Sequence, residues 1–266
     1  MTSDTTLYER GLAVRRAMFP DRVQPSPLAP DEIRADWARL IVELYGMVWA
    51  RPGLTLRTRS LVTVAALTAL HRAEELRIHT VAALRNGVSR RELCEAVMHV
   101  AGYAGVPAGV EGMRVLREAF VAHPELNPPA PSVPASQPVP DTLEGLYERG
   151  MTFRREHFGQ TSRPPDIAPD EIAEDWWKFL TGTAFGALWP RPGLSLHDHS
   201  RVTLATLQVL HLPEEFRLHV ARALRLGIPR GELCEQILHL ALYGGFPTAV
   251  EAMRLAREVF AGHPAG

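Results

Sequence analysis

The chain contains itself twice. At a fixed offset of 140, residues 51–124 match residues 191–264 with 39 of 74 positions identical and no gap. Arg51-Pro52-Gly53-Leu54 returns as Arg191-Pro192-Gly193-Leu194, and Glu75, His79, Cys94 and His99 return as Glu215, His219, Cys234 and His239. Tyr103, Gly105 and Pro107 fall on Tyr243, Gly245 and Pro247. Upstream the offset becomes 139, carrying Leu7-Tyr8-Glu9-Arg10-Gly11 onto Leu146-Tyr147-Glu148-Arg149-Gly150. One residue was therefore inserted or lost near the segments holding Trp37 and Trp176. Two copies describe a duplication rather than a solenoid, which normally needs three or more units.

The expected organisation is a first domain at 1–123, a linker at 124–140 and a second domain at 141–266. Seven prolines in seventeen linker positions exclude helix and favour polyproline II. At roughly 3.1 Å per residue such a segment reaches up to about 50 Å, so the linker is expected to leave the domains free to arrange themselves side by side.

Within one copy, Pro30-Asp31-Glu32 reads as a helix start with Asp31 as N-cap, and Trp37, Leu40, Ile41 and Leu44 follow at helical spacing. Arg51-Pro52-Gly53 makes a turn. A dense apolar stretch at 57–71 suggests a buried helix. A third helix runs from about Ala73 to Asn86 and stops at Gly87. A fourth opens on the Ser89-x-x-Glu92 capping box and ends at Gly105-Val106-Pro107. A fifth spans about Ala108 to Val121. No segment alternates as a strand flanked by hairpin turns. The expected class is all-α, with two tandem helical domains.

Lys and Arg total 29 against 30 Asp and Glu, a formal charge of -1, so no electrostatic argument favours nucleic acid or an anionic membrane. No apolar run reaches transmembrane length. Met1-Thr2-Ser3-Asp4 lacks the features of a signal peptide, and the two cysteines form no Cys-x-x-Cys pair. The expectation is a cytoplasmic protein.

Two helical pairs could carry chemistry. Glu75 and His79, like Glu215 and His219, lie four apart on one face, where a carboxylate can orient an imidazole and raise its basicity. The same spacing suits a solvated ion pair or a histidine satisfied in the core. His99 and Tyr103, like His239 and Tyr243, form a second pair before the Gly-x-Pro break. They read either as a donor facing a pocket or as a packed aromatic with a bonded histidine. Cys94 and Cys234 lack resolving partners and read as core or interface residues. Neither copy spaces its histidines and cysteines for zinc, and His197-Asp198-His199 has no equivalent in copy one. The five tryptophans read as core or interface anchors.

Taken together, Trp49-x-Arg51-Pro52-Gly53-Leu54, Arg59-Ser60-Leu61, Glu74-Glu75-Leu76-Arg77-x-His79 and Gly87 resemble the carboxymuconolactone decarboxylase family. Glu92-x-x-Glu95-x-x-x-His99-x-x-x-Tyr103-x-Gly105-x-Pro107 and the opening Tyr8-Glu9-Arg10-Gly11 with Arg15-Arg16 agree with it. The resemblance covers nearly all of each copy. It implies an all-α fold, trimers or hexamers, and a lyase working without metal or organic cofactor on a small lactone or oxo acid. It also implies that Glu75, His79 and His99 line the pocket of copy one, with Glu215, His219 and His239 as their counterparts. Arg51 and Arg59 would bind a carboxylate or oxyanion, with Tyr103 beside them; Arg191, His199 and Tyr243 correspond in copy two. A fused pair is expected to form a homotrimer with six repeats. The family's peroxidase branch carries Cys-x-x-Cys where this chain has Arg72 and Glu75, or Leu212 and Glu215, which disfavours thiol peroxidase activity. Beyond Pro107 the decarboxylases carry asparagine and histidine, whereas this chain has Val110 and Arg114, then Val250 and Arg254. That departure leaves room for another substrate, including a polyketide-like one of secondary metabolism, or for a non-catalytic binding protein. His199 in place of Arg59 implies weaker or pH-dependent anion binding in copy two.

Overall fold

The computed structural model describes residues 5–23, 29–129, 138–160 and 168–263. Each repeat contributes six α-helices. The first holds α1 (Leu7–Met18), α2 (Arg34–Leu44), α3 (Leu56–Ala69), α4 (Ala73–Arg85), α5 (Arg90–Ala104) and α6 (Val106–Ala122). The second holds α7 (Leu143–Phe158), α8 (Ala173–Leu180), α9 (Leu196–Val209), α10 (Pro213–Arg225), α11 (Arg230–Gly244) and α12 (Phe246–Ala261). No strand occurs among the described residues, so the all-α expectation holds.

The local signals act as the residues dictate. Thr55 and Ser195 cap α3 and α9 by accepting a backbone N–H three residues on. Ser89 and Glu92 close the expected capping box on α5. Gly105 and Gly245 take φ of 94° and 90°, which residues with a Cβ rarely adopt, and so turn α5 into α6 and α11 into α12. Two expectations need correcting. Asp31 is not an N-cap: residues 31–33 form a turn, Ile33 precedes the helix, and the Asp31 carboxylate instead pairs with Arg34 on the surface. α1, absent from the expected helices, is a full three-turn helix closed by a Thr6–Glu9 capping box.

The one-residue change of offset has a structural home. α2 runs into a π-helical segment at Tyr45–Trp49, and α8 runs into a longer one at Thr181–Leu188. A single inserted residue widens a helical turn from α to π without disturbing the helices downstream. At Gly11 an added Cβ would strike the Val42 carbonyl, and at Gly150 that of Thr181, a pair at offset 139. Gly46 and Gly186, inside the π segments and close against the Leu7 and Leu146 carbonyls, are already at offset 140.

The repeats are not independent bodies. α3 and α9 pack against each other, and each also packs on the other repeat's fifth helix, α11 or α5. One core unites Leu61, Val64, Val97 and Leu116 with Val202, Ala205, Val209 and Leu240. Burying this shared apolar face removes the freedom expected of the linker; its residues 130–137 lie outside the described ones. Arg57 reinforces the seam, pairing with Glu92 of its own repeat and Asp198 of the other, 3.0 Å away.

Candidate active site

Because α5 faces α9 and α11 faces α3, the histidine pairs assemble across the seam. His79 on α4 meets Tyr243 on α11 edge-on at 5.6 Å and stacks on Trp49 at 6.0 Å. His239 lies 4.7 Å from the same Trp49 ring. In the mirror arrangement His219 meets Tyr103 at 5.7 Å and stacks on Trp189 at 6.1 Å, with His99 at 5.2 Å from that indole. His99 therefore belongs with His219 and not with His79, contrary to the grouping the resemblance implied. The reason is packing: the face of α5 that carries His99 and Tyr103 is buried against the other repeat. Each cluster is a composite of both copies.

The two clusters share a bonding scheme. Trp49 Nε1 donates to the Tyr243 hydroxyl at 3.2 Å, and Trp189 Nε1 to that of Tyr103 at 2.8 Å. His239 Nε2 lies 2.8 Å from Thr63 Oγ1, and His99 Nε2 2.8 Å from Thr203 Oγ1. The threonines also touch the tyrosine hydroxyls. All four histidines are buried, and burial is the first cause holding each below its ordinary pKa. His79 falls to about 3, with Arg15 adding to the effect; His99, His219 and His239 fall well below 6.5. Burial pushes both tyrosines up. Near neutral pH these are uncharged imidazoles, each still offering one N–H and one lone pair.

Glu75 and Glu215 are exposed at the starts of α4 and α10 and make no hydrogen bond to His79 or His219. Within one chain the helical Glu-x-x-x-His spacing does not become a bonded pair. Nδ1 of His79 and of His219 has no hydrogen-bond partner among the described residues.

Around the shared scheme the charged groups differ. Arg59, fully buried, bonds the Arg51 carbonyl at 3.0 Å and Glu235 at 3.2 Å, and lies 3.4 Å from His239 Nδ1. Arg51 itself grips Glu235 through Nε at 2.9 Å. In repeat two Arg191 grips Glu95 at 2.6 Å. Both loop arginines are thus already neutralised by a carboxylate from the opposite repeat. His199, at the place of Arg59, puts Nδ1 3.1 Å from His99 Nδ1 and Nε2 3.3 Å from the Arg191 carbonyl. Thr203 donates its hydroxyl proton to the His199 carbonyl at 3.0 Å, so it accepts from His99 Nε2. His99 Nδ1 is then a lone pair. Both His199 contacts are satisfied together only when His199 carries two protons. Burial lowers its pKa while Glu95 and Asp198 oppose that. A permanent cation in one cluster is thus replaced by a titratable one in the other.

Several site residues escape a reading of the sequence alone. Thr63 and Thr203 are a matched pair in the repeat alignment, as are Glu95 and Glu235, and that identity is the available signal. Arg15 and Arg154 ride on α1 and α7. Arg15 lies 4.9 Å over the Tyr45 ring, and Arg154 5.1 Å over Phe185. Arg222 has no counterpart, since copy one has Ala82; the mismatch itself marks it.

Cys94 and Cys234 are free and partly buried, and burial raises both thiols above their ordinary pKa. No group of three or more His, Cys, Asp or Glu among the described residues is placed to hold a metal ion. No helix among them is long and apolar enough to cross a membrane.

Comparison with known proteins gives this geometry a family. The model for the "Carboxymuconolactone decarboxylase family" matches twice, at residues 35–118 and 174–258. The chain is 40% identical to 4-carboxymuconolactone decarboxylase of Acinetobacter baylyi over 118 residues, 44% of this chain and 88% of that protein. It is 32% identical to nitrosuccinic acid decarboxylase of Metarhizium robertsii over 133 residues, 44% of this chain and 89% of that protein. An uncharacterized 15.0 kDa protein of Paracoccus denitrificans is 28% identical over 111 residues, 40% of this chain and 76% of that protein. Each relative thus spans about the length of a single repeat, and with both repeats matched by the family model this chain belongs to the carboxymuconolactone decarboxylase family.

Proposed function

We propose that the chain is a carboxy-lyase with two active sites, each built from the fourth helix of one repeat and the fifth helix of the other. The observation that carries this reading is the cluster of buried His79, His239 and Trp49 around partly buried Tyr243, repeated as His219, His99 and Trp189 around Tyr103. Two relatives named as decarboxylases support it. Their named substrates differ, a lactone acid and a nitro acid. Both place an electron-withdrawing group where it can hold the electrons released with carbon dioxide. The substrate class proposed here is a small acid of that kind, with a lactone, oxo or nitro group as the sink.

Loss of carbon dioxide from a carboxylate leaves a carbanion delocalised onto the sink oxygen, and one proton then completes the product. The groups present serve both needs. The tyrosine hydroxyl and the unpartnered Nδ1 of His79 or His219 are the hydrogen-bond donors left for a developing oxyanion in a dry site. An anionic substrate beside His79 or His219 raises the imidazole's pKa from its depressed empty-site value. The histidine then takes up a proton and delivers it to carbon. Arg59 and its partner Glu235 fix His239, and His199 performs that service for His99.

Carbon dioxide release should be followed with 4-carboxymuconolactone and with nitrosuccinate. His79→Gln combined with His239→Gln is expected to silence one site and leave about half the turnover. His79→Gln combined with His99→Gln is expected to silence both. Equal losses in the two double variants would contradict the cross-repeat pairing, and no turnover of either acid by wild-type protein would contradict the substrate class.

We also propose a homotrimer. Ile33, Trp37 and Leu40 near and on α2, and Ile172, Trp176 and Phe179 near and on α8, form matching exposed apolar faces. Such patches mark contact surfaces. Light scattering that returns a stable monomer would refute this.

A further inference from the structure

The two sites exchange a charge. Arg59 of one is matched by His199 in the other, while Ala82 is matched by Arg222. Arg222 lies one turn beyond His219 on α10 and is 7% exposed. Its Nη1 donates to His219 Nε2 at 3.1 Å and its Nη2 to Gln160 Oε1 at 2.7 Å, while Nε has no partner. The guanidinium sits 5.0 and 5.3 Å from the Phe158 and Phe185 rings. No carboxylate pairs with it among the described residues, and burial pulls its pKa down to about 10. Buried Arg59 is answered by Glu235 and buried Arg201 by Glu232. Arg154, buried on α7 over the same Phe185 ring, also lacks an acid among the described residues, and burial and the nearby Arg222 pull its pKa down to about 10. A buried guanidinium without an acid is costly unless something else compensates it.

Arg222 is also reachable. It lines a cleft of about 940 Å³ together with Phe158, Gln160, Leu218 and Arg225. The equivalent cleft of repeat one, walled by Phe19, Ile78, Val81 and Arg85, is about 240 Å³ and does not include Ala82. Nε is itself buried, and Gln160 covers the neighbouring Nη2, so a carboxylate arriving along the larger cleft reaches this edge by displacing the Gln160 side chain. Bidentate binding on that edge would release only the Gln160 side chain.

We propose that Arg222 is the anion anchor of the His219 site, taking a carboxylate of a small dicarboxylic acid, and that the His79 site lacks this anchor. The two sites of one chain therefore differ in the acids they bind best. The inference rests on the reading of both clusters as substrate sites. It makes Arg222 part of recognition, with its Nη1 contact holding the proton of neutral His219 on Nδ1.

Succinate is a suitable probe, titrated into the full chain by calorimetry and followed through the side-chain nitrogen signals of ¹⁵N-labelled histidines. The His219 signals should move at lower succinate concentration than those of His79. Arg222→Gln keeps bulk and removes charge; it should weaken the tighter site at least tenfold, about 1.4 kcal/mol. Arg222→Lys should retain more of the affinity than Gln does. Arg222→Ala, which installs the residue found at position 82, is the backup should Gln disturb the fold. Unchanged affinity in the charge-removing variants, or His79 responding as early as His219, would overturn the anchor. Succinate binding that depends on Arg222 in a protein that decarboxylates neither test acid would refute the proposed function and leave the anchor standing. Normal turnover with Arg222-independent succinate binding would do the reverse.

Discussion

Acidification should unfold this protein well above the pH at which its carboxylates protonate. His79 holds a pKa of about 3 when folded and about 6.5 when unfolded. Because the folded value is the lower one, the unfolded chain binds the extra proton, and stability falls as pH drops below about 6.5. Between pH 7 and pH 5 the unfolded histidine gains about 1.4 units of protonation free energy that the folded one does not. At about 1.36 kcal/mol per unit, His79 alone costs about 2 kcal/mol over that interval. His99, His219 and His239 are depressed for the same reason and add with the same sign. A domain's total stability is only about 5–15 kcal/mol, so the combined loss is a large share of it. Glu95 and Glu235, held low by Arg191 and Arg51, lose their stabilisation only below pH 4.5, outside this window. Urea unfolding followed by circular dichroism at half-unit steps from pH 7 to pH 5 measures the slope directly. His79→Gln should make that slope shallower by about one proton. A stability that stays flat over the interval, or a His79→Gln slope equal to wild type, would refute the argument.

Tyr243→Phe and Tyr103→Phe each strand a buried indole N–H, that of Trp49 or Trp189. Each should lower unfolding stability by about 1–3 kcal/mol, read by chemical denaturation. Gly11→Ala drives a Cβ onto the Val42 carbonyl; a destabilisation of about 3 kcal/mol or more is expected from the backbone shift, seen as a lowered melting temperature. Both thiols, raised by burial, should react with a disulfide reagent more slowly than a free cysteine at the same pH. Peroxide should leave them unlinked on a non-reducing gel.

Much of the fold is legible without coordinates. The Ser89–Glu92 box, Gly87 and the Gly105 break mark helix ends through local chemistry, and local chemistry is what a sequence displays. α1 hides because its buried residues include Gly11 and Arg15 rather than a run of large aliphatics. Asp31 misleads because the proline before it starts a turn, not the helix. The site is half legible. His79, His99 and their copies stand out, but spacing along one helix cannot say which other helix faces it. That pairing follows from α5 lying on α9 and α11 on α3, a tertiary choice. For the same reason Arg51 and Arg191 look like free anion binders in the sequence, where nothing shows that Glu235 and Glu95 stand opposite them.

The crossed assembly of the two sites has a consequence for how the gene copies can age. In an ordinary duplication one copy can decay while the other keeps working. Here each copy lends a fourth helix to one site and a fifth helix to the other, so decay of either half would damage both. The halves are bound to a joint fate. Divergence is open only at positions that belong to a single site, and 59/199 and 82/222 are two such positions. The duplication thus gave the chain one shared scaffold and two separately adjustable rims.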